Sequence, residues 1–163
     1  MINKKKIFIA VDTNRISKAN KIIKETQTKK IKIGYKFGLE FFYSKDGRKF
    51  LSSLKNQIIF LDLKLNDIPN TIKSALRSLK DLKISYLTVH LSSGINALKA
   101  LKKESKNIKI AGVTTLTSLN NKDLKEIGYN KKVNELVKHQ VKLAKKAKLD
   151  AIVCSGHEIR SVK

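Results

Sequence analysis

The sequence predicts an α/β fold of (β/α)8 TIM-barrel type, with about the first six strand–helix units present as a single incomplete domain over 1–163. Three observations carry this. Apolar strand-like runs alternate with amphipathic helical patterns along the chain, which implies parallel strands joined by right-handed crossovers. Asp12, Lys36, Asp62, His90, Thr117 and Ser155 fall at or just beyond the carboxyl ends of six different runs, and many strands feeding one site is the barrel habit. No Pro/Gly/Ser-rich linker interrupts the 163 residues, so one core is the default. An open doubly wound sheet competes, because alternation alone fits both architectures.

The elements follow in order. Met1-Ile2-Asn3-Lys4-Lys5-Lys6 is a basic flank, but the apolar run over 6–11 ends at Asp12 with no small-residue cleavage pattern. It reads as a first strand rather than a signal peptide. A helix over 15–26 takes Ser17 as its cap. Further strands are expected at 31–37, 57–63, 84–90, 108–113 and 149–154, and further helices at 44–55, 68–81, 94–104 and 131–147, with a short one near 121–127. Ile58-Ile59-Phe60-Leu61 is apolar on both faces, as a covered parallel strand should be. Asp67 caps the helix after it, and Pro69 sits in its first turn, where a missing N–H costs little. Val133, Leu136, Val137, Gln140, Val141, Ala144 and Ala147 form one buried stripe on the 131–147 helix, opposite a lysine-rich face.

Composition narrows the functional classes. The formal charge is +23, from 32 Lys and 4 Arg against 13 acidic residues. Strong positive charge raises the prior for nucleic acid or an anionic membrane. Base and groove readers, however, lean on Arg with aromatics placed for stacking, whereas here Lys is spread over nearly every element. A solvated lysine coat is the better account, with neither nucleic acid nor membrane as partner, and a phosphorylated substrate would be drawn in by the field. No segment approaches the roughly 20 apolar residues needed to cross a bilayer. Cys154 is the only cysteine, which excludes an internal disulfide framework and fits a reducing cytoplasm. Its apolar context, Ala151-Ile152-Val153-Cys154, makes it a buried, inert thiol.

The chemistry concentrates in Phe60-Leu61-Asp62-Leu63-Lys64-Leu65-Asn66-Asp67-Ile68-Pro69-Asn70-Thr71. Two carboxylates and an ammonium stand at the mouth of a buried strand. Asp62 and Lys64 are two apart and so project the same way on an extended strand, with Asp67 following at a helix start. Such a cluster supplies a field ready for a reaction that develops charge. An isolated Asp-x-Lys is more often a strand-end ion pair; the attached Ile-Pro-Asn-Thr makes the run far more specific.

This stretch closely resembles the signature of the orotidine 5′-phosphate decarboxylase family. Further matches lie in the family's order: Ile7-Phe8-Ile9-Ala10-Val11-Asp12, Lys36-Phe37-Gly38-Leu39-Glu40-Phe41-Phe42, Val89-His90, Gly112-Val113-Thr114-Thr115-Leu116-Thr117-Ser118 and Val153-Cys154-Ser155-Gly156-His157-Glu158. The resemblance implies cofactor-free decarboxylation of orotidine 5′-phosphate to uridine 5′-phosphate, by a cytoplasmic homodimer with shared sites and no metal. It implies that Asp12 and Lys36 bind the ribose hydroxyls, Lys36 also bridging to Asp62. Asp62 would lie beside the substrate carboxylate, and Lys64 would deliver the proton that replaces it. Asp67 and Thr71 would reach into the partner's site, Ile68 would bind substrate, and Thr117 would contact the pyrimidine ring.

A barrel of this family has eight strands, whereas only six are found here, and nothing matches the family's later Pro-Gly-Ile-Arg-like segment or its Gly-Arg pair. The expectation is a C-terminally truncated member, weak or inactive for want of its phosphate grip, with exposed edge strands that favour aggregation. A sister group, the magnesium-dependent sugar-phosphate decarboxylases and hexulose-phosphate synthases, shares Asp-x-Lys-x-x-Asp. In that alternative Glu40 and Asp62 would hold the metal. A non-catalytic remnant or basic binding protein is the third reading.

The remaining residues carry weaker signals. His90 reads as a strand-end histidine with local hydrogen bonds, while His139 and His157 lack metal-set spacing with it. Gly34, Gly38, Gly47, Gly94 and Gly112 read as turn and close-packing positions rather than a phosphate loop.

Overall fold

A computed structural model of the protein describes residues 6–162, and the basic flank before Lys6 and the terminal Lys163 lie outside them. The chain forms two compact units, one from the residues up to Leu63 with Ser78–Leu87, the other from Lys64–Arg77 with the residues from Thr88 on. Six strands follow one another in chain order within the sheet, and the pairings of β1 with β2, β2 with β3 and β5 with β6 are parallel. Every strand predicted from the sequence is present to within two residues at either end.

In the first unit, β1 (Lys6–Ala10) leads through α1 (Ile16–Thr26) to β2 (Lys32–Gly38), then through α2 (Leu39–Tyr43) and α3 (Gly47–Ser53) to β3 (Ile58–Leu65). Its core rings Phe37, Phe41 and Phe50 pack with centroids 4.8 to 6.4 Å apart. That anchoring of Phe41 explains α2, a short helix that the sequence pattern does not announce. Ser44 ends it by donating its N–H and hydroxyl to the Phe41 carbonyl, which leaves α3 as the core of the predicted 44–55 helix. Phe8, Phe60 and Tyr86 form a second aromatic group, with centroids 5.1 to 5.5 Å apart. It needs Gly34, because a Cβ there would come within 2.5 Å of the Phe8 ring. Gly38, in contrast, has open space around it and a negative φ, so nothing there requires glycine.

Ser17 does not cap α1. The N-cap is Arg15, whose side chain makes no capping bond, and the hydroxyl of buried Thr13 accepts the Arg15 N–H at 3.2 Å. The helix predicted over 68–81 is α4 (Pro69–Arg77). Leu79 and Leu82 continue its apolar spacing and are buried, but in a turn whose Ser78 carbonyl and Asp81 carboxylate both accept from Arg48 at 2.6 Å. Burial in a turn thus mimicked the helical period.

The second unit contains the end of β3, α4, the body of β4 (Tyr86–His90), a 3₁₀ turn at Leu91–Ser93, α5 (Gly94–Glu104), β5 (Lys109–Val113), α6 (Asn121–Glu126), α7 (Val133–Lys146), β6 (Ala151–Val153) and α8 (Ile159–Val162). Gly94 turns the chain into α5 at φ +80°, a conformation open to glycine. Arg77 grips Glu104 through Nε and Nη2 at 2.8 and 3.3 Å, joining α4 to α5. The predicted stripe of α7 buries Leu136, Val137, Gln140 and Ala144, and Ala147 just beyond it. Asp150 precedes β6 and accepts from Lys102 at 2.6 Å and from the Ile110 N–H at 2.8 Å. Burial opposes ionisation of Asp150, but those bonds and the Lys102 and Lys109 charges outweigh it and hold the carboxyl below its usual range.

Candidate active site

The parallel register brings three predicted residues together in the first unit. Ala10 pairs with Lys36 and Gly38 with Asp62, so Asp12, Lys36 and Asp62 stand at the carboxyl ends of three adjacent strands. The Lys36 ammonium lies 3.5 Å from Asp62 Oδ2 and 3.9 Å from Asp12 Oδ1. The two pairings differ in weight. Asp62 is buried, whereas the Asp12 side chain is 72% exposed and its attraction is screened by water. Asp62 therefore anchors the lysine, and the Asp12 carboxylate is open to water.

Lys64 begins the second unit, and its backbone departs from the expectation. Its φ is +49°, in the left-handed region, so the period-two rule for an extended strand does not carry from Asp62 to Lys64. For a residue with a Cβ this conformation costs about 1–2 kcal/mol. The Lys64 N–H donates to the hydroxyl of Thr88 at 2.7 Å, and Thr88 is fully buried in β4. Two residues on, Asn66 Oδ1 accepts from the hydroxyls of Ser93 at 2.9 Å and Ser92 at 3.5 Å. Asp67 does not cap α4 as expected: the helix starts at Pro69, which leaves Asp67 one residue before the N-cap position, and its Oδ1 accepts the neighbouring Ile68 N–H at 2.7 Å, while Pro69 lies in the first turn as expected. Asp67, Ile68 and Thr71 are exposed, Ile68 by 65%.

Thr117 lies exposed in the turn that follows β5. That turn is anchored by a residue whose role the sequence hid: buried Gln140 of α7 accepts from both the N–H and the hydroxyl of Thr115, at 2.8 and 3.1 Å. A cavity of about 210 Å³ opens beside it, lined by Asn66, His90, Thr115, Leu124, Tyr129 and Gln140 among others. His90 is half-buried at its wall, while His139 and His157 are exposed. Among the described residues, no group of three or more His, Cys, Asp or Glu side chains converges as a metal set. Cys154 is half-buried rather than buried, because β6 is only partly covered. Burial and the Glu158 charge still push its thiol upward, which disfavours the nucleophilic thiolate.

Strand–helix units in chain order, with a lysine held between carboxylates at the strand ends, define an α/β protein whose charged cluster gathers at the carboxyl ends of its strands. Residues 5–163 match the family described as Orotidine 5′-phosphate decarboxylase / HUMPS family, and the chain belongs to that family. The curated orotidine 5′-phosphate decarboxylase of Carboxydothermus hydrogenoformans is 37% identical over 168 residues, covering 97% of this chain and 69% of the relative. That of Wolbachia sp. subsp. Brugia malayi is 40% identical over 161 residues, covering 96% and 70%. The crystal structure of the Lactobacillus acidophilus enzyme of the same name superposes with a TM-score of 0.84 at 29% identity, over 97% of this chain and 75% of that one. The fold is therefore of (β/α)8 TIM-barrel type, with six of its strands in this chain.

Proposed function

We propose that this chain is a carbon–carbon lyase that decarboxylates orotidine 5′-phosphate to uridine 5′-phosphate, the reaction named for its relatives. The observation that carries the reading is Lys36, whose ammonium stands between Asp12 and Asp62 as the family signature requires. In this reading the residues 1–163 form one incomplete barrel domain.

The reaction needs no cofactor. The bond from pyrimidine carbon six to the carboxylate breaks, carbon dioxide departs, and the electron pair stays on carbon six. Little delocalisation is available to it, so stabilisation falls to a preorganised cation. Lys64 supplies that charge and then its proton, forming the new C–H bond, and its amine recovers a proton from water. Asp62, kept in place by Lys36, crowds the substrate carboxylate, and the crowding is relieved as carbon dioxide leaves. Asp12 and Lys36 hold the ribose hydroxyls, and Thr117 meets the pyrimidine ring.

Asp67 and Thr71 serve the site of a second copy, which makes the working form a homodimer, and Ile68 between them binds substrate. Their exposure at the start of α4 supports that assignment. The proposed setting is the cytoplasm, in pyrimidine biosynthesis; no helix among the described residues is long and apolar enough to cross a membrane. The family description also spans the sister group, for which Glu40 and Asp62 would bind magnesium. The Lys36 ammonium on Asp62 favours the metal-free reading, and decarboxylation that vanishes with a chelator and returns with magnesium would reverse the preference.

Lys64→Ala tests the mechanism. It removes cation and proton donor together and is expected to lower kcat by about 10³-fold or more, read as initial rates of orotidylate loss. Near-normal turnover by a folded Lys64→Ala protein would sink the assignment.

A further inference from the structure

We propose that Thr88 is the positioning residue for Lys64, its buried hydroxyl holding the lysine backbone in the left-handed conformation from which the ammonium is presented. The inference rests on the reading of Lys64 as proton donor. Among the described residues, four other than glycine have positive φ: Asn56, Lys64, Lys106 and Lys148. Asn56, Lys106 and Lys148 lie within three residues of the ends of α3, α5 and α7, where a left-handed residue commonly ends a helix. Lys64 alone among them lies inside a strand. An extended strand offers no such custom, so a specific bond has to hold the conformation against its strain.

Thr88 provides that bond. Its oxygen accepts the Lys64 N–H at 2.7 Å, 24 residues away in sequence, from a side chain with no exposure. A β-branched side chain is stiff at χ1, so the acceptor is fixed before substrate arrives. Valine would fill the same space between buried Leu87 and Val89. A buried hydroxyl is costly without partners, and the Lys64 N–H is a partner that valine in the same place could not serve. The carbons of the Lys64 side chain start from that backbone, and a small error in ammonium placement costs a large factor in proton delivery.

The test compares Thr88→Val, which keeps the shape and removes the acceptor, with Thr88→Ala and Thr88→Ser. Two quantities are read: the Lys64 Cα and Cβ chemical shifts, which report left-handed against extended backbone, and kcat and KM for orotidine 5′-phosphate. Thr88→Val is expected to move the shifts toward extended and to lower kcat about 10- to 100-fold with KM little changed, while Thr88→Ser restores both. If Thr88→Val fails to fold, Thr88→Ala, which also lacks the acceptor, is held to the same outcome. Left-handed shifts retained without the hydroxyl overturn the proposal whatever the turnover, as does an unchanged kcat. A parent protein without decarboxylation, but with shifts that follow the hydroxyl, supports the clamp and places the failure in the proposed activity of this chain.

Discussion

Lys36 and Lys64 both stand near strand ends and both belong to the family signature, yet they are held in different ways. Lys36 is held by its head: its ammonium lies between two carboxylates, one buried and one open to water. Lys64 is held by its backbone, through a left-handed φ and a buried threonine oxygen. The difference follows from what each is proposed to do. A binding lysine can remain in its ion pairs throughout the reaction, because they define where the ligand hydroxyls go. A proton donor has to give up a proton and recover it, so its position gains from a main-chain anchor that does not change with the protonation of the head group.

The largest effect that separates the two modes is expected from Asp62→Asn. It removes the charge that anchors Lys36 while keeping shape and hydrogen-bonding capacity, so kcat should fall by about 10²-fold or more while Tm moves by only a few degrees. A thermal melt beside initial-rate kinetics checks both halves; a collapse of the fold would make Asp62 a structural residue instead.

Gln140→Leu probes anchoring through hydrogen bonds in the same way as Thr88. It would strand the buried N–H and hydroxyl of Thr115, at a cost of about 1–3 kcal/mol. At this chain length each kcal/mol lowers Tm by roughly 2–4 °C. That loss should not depend on salt, and KM should rise because the turn carrying Thr117 loosens. Equal losses at low and high salt would set it apart from a charge-held contact.

The smallest effect concerns Asp150, which is charge-held like Lys36 but remote from the signature. Its carboxyl is held below the usual range in the folded chain, so its contribution is present above the unfolded carboxylate pKa and is lost as pH falls through the lower folded value. After screening by water, Asp150→Asn should cost about 0.5–1 kcal/mol near neutral pH. The gap between the two melting curves should close in acid. A gap that persists or widens as pH falls would mean that the Lys102 and Lys109 charges do not set the Asp150 carboxyl.

Much of this was legible in one dimension. Ile58-Ile59-Phe60-Leu61 announces a covered strand and Asp62 its end, because only a strand buried on both faces is apolar without alternation. Asp12 and Lys36 were readable for the same reason, and parallel register then made them neighbours. Thr88 and Gln140 were not readable as anchors. A threonine in a β-run looks like β-branched filler, and a glutamine on a helix stripe looks like a tolerated polar residue. Their partners Lys64 and Thr115 lie 24 and 25 residues away. The short helix α2 escaped notice because its stability comes from Phe41 packing on Phe37 and Phe50 rather than from its own sequence.

The sequence by itself determined the strand–helix alternation and the residue types able to carry charge-developing chemistry, which are written in local periodicity and spacing, and its motifs carried the resemblance to the family. Tertiary structure decided which carboxylate anchors Lys36, that Lys64 leaves the extended conformation, and that buried Thr88 and Gln140 accept from the chain near Lys64 and Thr117. Those outcomes depend on burial and on bonds between residues distant in sequence, and neither has a periodicity along the chain.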